Sequence, residues 1–170
     1  TNNISVRGSD QWGNLVLLDE AMVYNPNHAL SFFSVFNNDA IQQVNLYKSY
    51  FPLMYGGRTS SVIDVRMREG NNQEKHRSAT IGVIASKLQL EGPIKRGKTS
   101  YLLSTRFAYP GAILGVLERF RGTKMNFYDI NAKINSTLND RNRFFFSIYN
   151  GGDHTYFNQL VRGYGMNWGN

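Results

Sequence analysis

The sequence predicts a mainly β fold whose second half is a run of membrane-barrel strands, and three observations carry that prediction. Alternating runs of ten or more residues follow one another after residue 76, at 80–91, 99–109 and 127–137. That is longer than the usual strand of a soluble domain. Short polar turns separate them, as at residues 92–97 and 138–142. Aromatics crowd the strand ends, the pattern of strands that cross a bilayer. A soluble β-sandwich is the other reading the same alternation leaves open.

The elements follow in order. Residues 4–7 and 15–18 are short apolar strands, separated by a turn-rich loop at 8–14 that carries Trp12. Pro26 lacks an amide donor and restricts Asn25, so residues 23–28 break any regular element. An aromatic cluster occupies 29–36, and residues 38–41 read as a helical turn capped by Asn or Asp. Strands are expected at 44–48 and 61–68, on either side of the Gly56-Gly57-Arg58 turn. The polar stretch 69–75 is the best linker in the chain.

Beyond the linker, alternation assigns faces. Gly82, Ile84, Leu88 and Leu90 oppose Lys87, Gln89 and Glu91 on one strand. On the next, Tyr101, Leu103, Phe107 and Tyr109 oppose Ser100, Ser104 and Arg106. Tyr128, Ile130, Ala132 and Ile134 oppose Asp129, Asn131, Lys133 and Asn135, and Phe144, Phe146 and Ile148 oppose Phe145, Ser147 and Tyr149. A short amphipathic stretch at 111–120 interrupts the strands, and residues 164–170 read like the middle of another one.

Composition removes several classes of function. The chain has 170 residues, 41% of them hydrophobic and 14% aromatic, enough for a packed core and too apolar for wholesale disorder. Without cysteine there is no disulfide framework and no thiolate chemistry. His28, His76 and His154 lie too far apart in sequence to open a zinc motif. No catalytic triad can be argued from the spacing, and the Gly56-Gly57-Arg58 turn lacks the Lys of a phosphate loop. The expectation is a protein that is not an enzyme and uses neither cofactor nor metal.

Charge divides the chain. Residues 1–76 hold 6 basic and 7 acidic side chains (net −1), whereas 77–170 hold 13 and 5 (net +8). The basic residues of the second half are scattered singly along strands and turns instead of forming a cluster. A solvated or lumen-lining face accounts for this better than nucleic acid does.

The first 70 residues resemble the plug domain of TonB-dependent outer-membrane receptors of the Bacteroidetes type. The residues that carry the resemblance are Ile4-Ser5-Val6-Arg7-Gly8, Leu15-Val16-Leu17-Leu18-Asp19, Tyr24-Asn25-Pro26-Asn27-His28 and Phe32-Phe33-Ser34-Val35-Phe36-Asn37. Phe51-Pro52 and Tyr55-Gly56-Gly57-Arg58 follow in the expected order. Leu90-Glu91-Gly92-Pro93-Ile94, Leu103-Ser104-Thr105-Arg106 and Phe127-Tyr128-Asp129-Ile130-Asn131-Ala132-Lys133 are similar to the opening strands of the same family's barrel. Asp19-Glu20 stands where the family commonly has Asp-Gly, which implies a different local turn, and the motifs do not match the starch-utilisation branch.

The resemblance implies a plug of mixed α/β structure at residues 1–76 and the first four to five strands of a transmembrane barrel at 77–170. A barrel that encloses a plug needs about 22 strands, at roughly 9–11 residues each. The expectation is therefore a piece of a longer polypeptide, with a TonB box upstream of Thr1.

Function follows as what the resemblance implies. A scarce ligand (siderophore, cobalamin, oligosaccharide or peptide) is taken up across the outer membrane of a Gram-negative bacterium, with proton-motive force relayed by TonB. The apical plug loops would meet the ligand through Gln11, Trp12, Tyr24, Asn25, His28 and Phe32. For Phe32, Phe33 and Phe36 a place in the plug core is the competing role. Arg7 and Arg58 would pair with carboxylates on the barrel wall, or face solvent in the lumen. Partners would be TonB, outer-membrane lipid, and a surface lipoprotein or other outer-membrane subunits. The alternative function is a structural subunit of an outer-membrane assembly or secretion complex on the same fold, and a soluble β-rich binding domain is the third reading.

Overall fold

The computed structural model describes residues 6, 13–48, 55, 60–116, 122–158 and 163–169, and over them the chain is mainly β. A small mixed sheet has the order β2-β1-β6-β5, formed by Ala21–Met22, Asn14–Leu18, Ser61–Met67 and Ile41–Tyr47. β1 and β6 run parallel, and the other pairs are antiparallel. A two-stranded ribbon joins β3 (Asn27–His28) to β4 (Phe33–Ser34). The rest is an antiparallel meander of six strands in sequence order. They are β7 (His76–Ile81), β8 (Ala85–Lys95), β9 (Thr99–Ala108), β10 (Lys124–Asn139), β11 (Asn142–Asn158) and β12 (Gly163–Gly169).

The small sheet forms around two buried central strands: β1 is apolar on both faces, and β6 is apolar chiefly on one. In β6 every residue but Arg66 is buried, so Ile63, Val65 and Met67 face one way and Val62 the other. The first face, with Val16 and Leu18 of β1, packs on Leu102 of β9 and Tyr149 of β11. The second gathers Leu15, Leu17 and Val62 under Tyr47 and Tyr55. Phe36 joins the first core, and Phe33 joins a further cluster of Ala29, Ala108, Met125 and Phe127, so both take the core role.

The meander is organised the other way round. Along β10, Asp129, Asn131, Lys133 and Asn135 are buried while Tyr128, Ile130 and Ile134 are exposed. Register extends this across the sheet. Leu90, Leu103, Ala132 and Ile148 form one outward row over four strands, and Tyr101, Ile134 and Phe146 share another. The inward rows are Gln89-Ser104-Asn131-Tyr149 and Lys87-Arg106-Asp129-Gly151, and they lie toward the small sheet. The face assignments expected for β9, β10 and the first half of β11 hold.

Several expectations are corrected. Residues 80–91 are not one strand: the chain turns at 82–84, where the Gly82 amide donates to the Ala85 carbonyl. This makes β7 and β8 a hairpin, and the meander has six strands where four to five were expected. Gly92 and Pro93 lie within β8 and do not form a turn. β7 stops pairing at His76 opposite Glu91, so on that side the proline's missing amide breaks no ladder. A register shift between Pro93 and Lys95 absorbs it on the other. β11 runs through Gly151 and Gly152, which pair with Asp129 and Tyr128 of β10, to twice its expected length; glycine is required at 151 because a side chain there would collide with the Tyr149 hydroxyl.

The region around Pro26 is not irregular throughout, since Asn27–His28 pair with Phe33–Ser34. The helical turn is a 3-10 turn at Asn38–Ala40, capped by the Asn37 side chain accepting from the Asp39 amide. The β1–β2 turn keeps positive φ at both Asp19 (47°) and Glu20 (73°), the sign that a tight hairpin needs, despite the absence of glycine. The amphipathic stretch forms a single helical turn, α1 (Pro110–Leu114), and its remainder at 117–121 lies outside the described residues.

Candidate functional site

The contact between the small sheet with its ribbon and the inward face of the meander is where polar chemistry concentrates. Its centre is His28, at the end of β3, only 1% exposed. The Nε2 atom lies 2.5 Å from Asp129 Oδ1 on β10, and Nδ1 lies 2.6 Å from Asp153 Oδ2 on β11. An ionised carboxylate offers only acceptors, so a ring held between two of them favours the imidazolium, which donates from both nitrogens. Burial works against that proton. The hydrogen bonds and charges of Asp129 and Asp153 outweigh it, and the His28 pKa stands above its ordinary value.

Each carboxylate is filled by other donors. Asp129 accepts from the Tyr149 hydroxyl at 2.9 Å and, at its other oxygen, from Arg106 Nε at 2.6 Å. Asp153 accepts from the Ala29 amide at 2.6 Å. Arg106 also donates to the Ser34 carbonyl at 2.7 Å, which ties β9 to the ribbon. Two acids face one imidazolium and one guanidinium, so the cluster is electrically balanced. Phe127 closes it from the side, stacked on His28 with ring centroids 4.6 Å apart and lying under the Arg106 guanidinium. Gly151 leaves the room that the imidazole and the Tyr149 hydroxyl occupy.

Four more ion pairs cross the same contact. Asp19 in the β1–β2 turn meets Lys133 Nζ at 2.8 Å, with both side chains buried, and Asp19 Oδ1 accepts from the Met67 amide. Asp39 meets Lys87 at 2.9 Å, Arg68 meets Glu91 at 3.0 Å, and Glu69 pairs with Arg143. In three of the four the acid comes from the N-terminal part and the base from the meander. The charge split of the sequence, net −1 against net +8, thus maps onto a real contact.

The expected site residues are dispersed. Arg7, Arg58, Gln11 and Trp12 lie outside the described residues. Tyr24 and Phe32 are exposed, at 75% and 65%. Asn25 is half-buried and turns inward, its Oδ1 accepting from the Asn27 amide at 3.3 Å. His28 is withdrawn from the surface into the carboxylate cluster. Tyr24 borders a cleft of about 210 Å³ between the β1–β2 hairpin and β11, lined mainly by apolar side chains including Met22, Val23 and Tyr149.

Sequence reasoning sought carboxylate partners for arginines of the N-terminal part. It missed that acids of that part pair with bases of the meander, and that a histidine is the central cation. The charge asymmetry and the buried-side positions of Asp129 and Lys133 were the available signal. Among the described residues no group of His, Asp and Glu is arranged to hold a metal ion.

No family model matches this chain, and comparison with curated proteins and with solved structures likewise finds no match, so the functional reading rests on the geometry above.

Proposed function

We propose that the chain is part of a TonB-dependent outer-membrane receptor. In this reading the small sheet belongs to the plug, the meander is barrel wall, and the whole protein imports a scarce ligand at the expense of proton-motive force relayed by TonB. One observation carries the proposal: along β10 of the meander, Tyr128, Ile130 and Ile134 are exposed while Asp129, Asn131, Lys133 and Asn135 are buried. Exposed Phe144, Phe146 and Ile148 on one strand form a band that would aggregate in water and is at home in hydrocarbon. The inward polar face suits a lumen that holds a plug through ion pairs.

Tyr24 and Phe32, exposed on the loops around the ribbon, are the described aromatics available to stack on a siderophore, cobalamin, oligosaccharide or peptide. The apolar cleft beside Tyr24 extends that surface. Localisation would be the outer membrane of a Gram-negative bacterium, with TonB and lipid as partners.

The test is electrophoresis of the native polypeptide from an outer-membrane fraction, boiled and unboiled, followed by uptake assays with and without a collapsed proton gradient. A heat-shifted band together with gradient-dependent uptake is expected. A heat-insensitive protein recovered from the soluble fraction overturns the reading. A heat-shifted band without uptake transfers the protein to the alternative, a structural subunit of an outer-membrane assembly.

A further inference from the structure

The residues that follow His28 carry an unusual backbone. Ala29, Leu30 and Ser31 all have positive φ, at 48°, 56° and 72°, and none is glycine. Three successive residues therefore form a left-handed turn, closed by the Phe32 amide donating to the Ala29 carbonyl at 3.2 Å. For L-residues each such conformation is unfavourable because Cβ crowds the following carbonyl. A strained segment of this kind persists only where its surroundings over-determine it. Here the determinant is adjacent: the amide of Ala29, the turn's first residue, donates to Asp153 Oδ1, while the other oxygen of that carboxylate holds the His28 ring. The turn is pinned at its start and presents Leu30 and Phe32 to the surroundings.

We propose that His28 is a proton-operated catch, in which the imidazolium bridging Asp129 and Asp153 holds the left-handed turn at 29–31 against the meander and loss of its proton releases the turn. The inference does not depend on the transport reading, because it needs only the described contact. Around the ring stand Asp129 and Tyr149 on one side and Asp153 on the other. Arg106 reaches it through Asp129, and Phe127 covers its face. When His28 loses its proton, one ring nitrogen becomes an acceptor facing a carboxylate oxygen at 2.6 Å or less, which is repulsive. The remaining Arg106 charge cannot balance two carboxylates. One of the two contacts must open, and opening at Asp153 frees the Ala29 amide as well.

The sign of the pH dependence follows. A cation stabilised by folding contributes its full stabilisation below its unfolded pKa and loses it as pH rises through the folded pKa. The unfolded pKa is about 6.5, and the folded one lies higher. The catch is therefore closed below pH 6.5 and opens as pH rises through the higher folded pKa.

These 170 residues hold no cysteine, so Ser31→Cys, with any cysteine elsewhere in the polypeptide replaced by serine, supplies a single labelling site. A nitroxide attached there and followed by electron paramagnetic resonance from pH 5 to 10, in detergent micelles, reads the mobility of the turn. An immobile label is expected in acid, with one transition to a mobile spectrum centred above pH 6.5. In Asp153→Asn the transition should move down by about one unit or more, since an opposite charge near a histidine raises its pKa. In His28→Gln the pH step should vanish. A mobility that does not change with pH in the unmodified background overturns the inference. So does a step that survives in His28→Gln, or one whose midpoint is the same with and without the Asp153 charge. Should His28→Gln fail to fold, the Asp153→Asn midpoint and the background titration still decide.

Discussion

β6 and β10 lie in different sheets of one chain and follow opposite rules. β6 buries all four of its apolar residues, Val62, Ile63, Val65 and Met67, together with Ser61 and Asp64, and leaves Arg66 partly exposed. β10 buries Asp129, Asn131, Lys133 and Asn135 and exposes Tyr128, Ile130 and Ile134. The first is the rule of a strand in water. The second is stable only if the outward face meets something as apolar as itself and every inward polar group has a partner, because an unpaired buried polar group costs more than its hydrogen bond gains. The difference teaches that alternation alone does not define inside and outside, whereas the chemistry that each face finds does.

The largest effect should come from breaking the inward polar face at its best-filled point. Asp129 accepts from His28, Tyr149 and Arg106. Asp129→Ala takes one of two acids from the buried His28 and the acid partner from the partly exposed Arg106, and breaking a buried pair in this way costs about 3–5 kcal/mol. Denaturant unfolding of the protein in micelles measures it. A loss below about 1 kcal/mol would mean that water reaches the cluster and that the meander's inner face is not dry.

Next in size is a substitution that separates the two solvents. Ile130→Arg on the outward face should cost about 2–4 kcal/mol in vesicles if that position lies near the bilayer midplane. The matched change on the small sheet is Gln43→Arg, at an exposed position of β5, and it should stay within about 0.5 kcal/mol. Equal, small effects at both sites would show that the meander's outer face meets water and would break the contrast between the sheets.

Much of this was legible beforehand because alternation with period two is a local property. The faces of Tyr101–Phe107, Tyr128–Ile134 and Phe144–Ile148 follow from the order of residues alone, and so does the tight turn after Leu138. What escaped depended on distant partners. Gly82 stands in an apolar run and Gly92 beside a proline, yet only the first lies in a turn, because β7 pairs no further than Glu91 and a register shift against β9 absorbs Pro93. Gly151 does not end β11, because it pairs with Asp129 of β10, and His28, more than a hundred residues earlier, needs the space beside it. His28 itself was legible as a special residue in a polar loop but not as a buried cation. Its two acids sit on strands whose register no local pattern could set against β3.

The third prediction concerns how the sheets are joined. Asp19 and Lys133 are both buried and meet at 2.8 Å, with Lys133 also over the Phe145 ring. In a double-mutant cycle, Asp19→Asn and Lys133→Met should couple by about 0.5–3 kcal/mol, the range for residues in one network. Each single change leaves a charge or a carbonyl without its partner, and the double change removes both charges together. Additive effects would mean that the two residues serve the sheets separately and that the joint is held by the apolar core around Leu102.

The smallest effect belongs to the most exposed of the pairs named across the contact. Arg143 and Glu69 touch, yet both side chains are about half exposed. Water and salt therefore screen their attraction, and ordering two long side chains offsets most of what remains. Such pairs contribute about 0.2–1 kcal/mol. Arg143→Gln should move the unfolding midpoint little at low salt and not measurably at high salt, while Asp129→Ala should keep most of its effect in both. The two responses to salt separate a rim contact from a buried one more sharply than distance does. If Arg143→Gln instead proved as costly as Asp129→Ala, the rim of the contact would have to be covered by something beyond the described residues, and the inward face of the meander would extend further than Asn135.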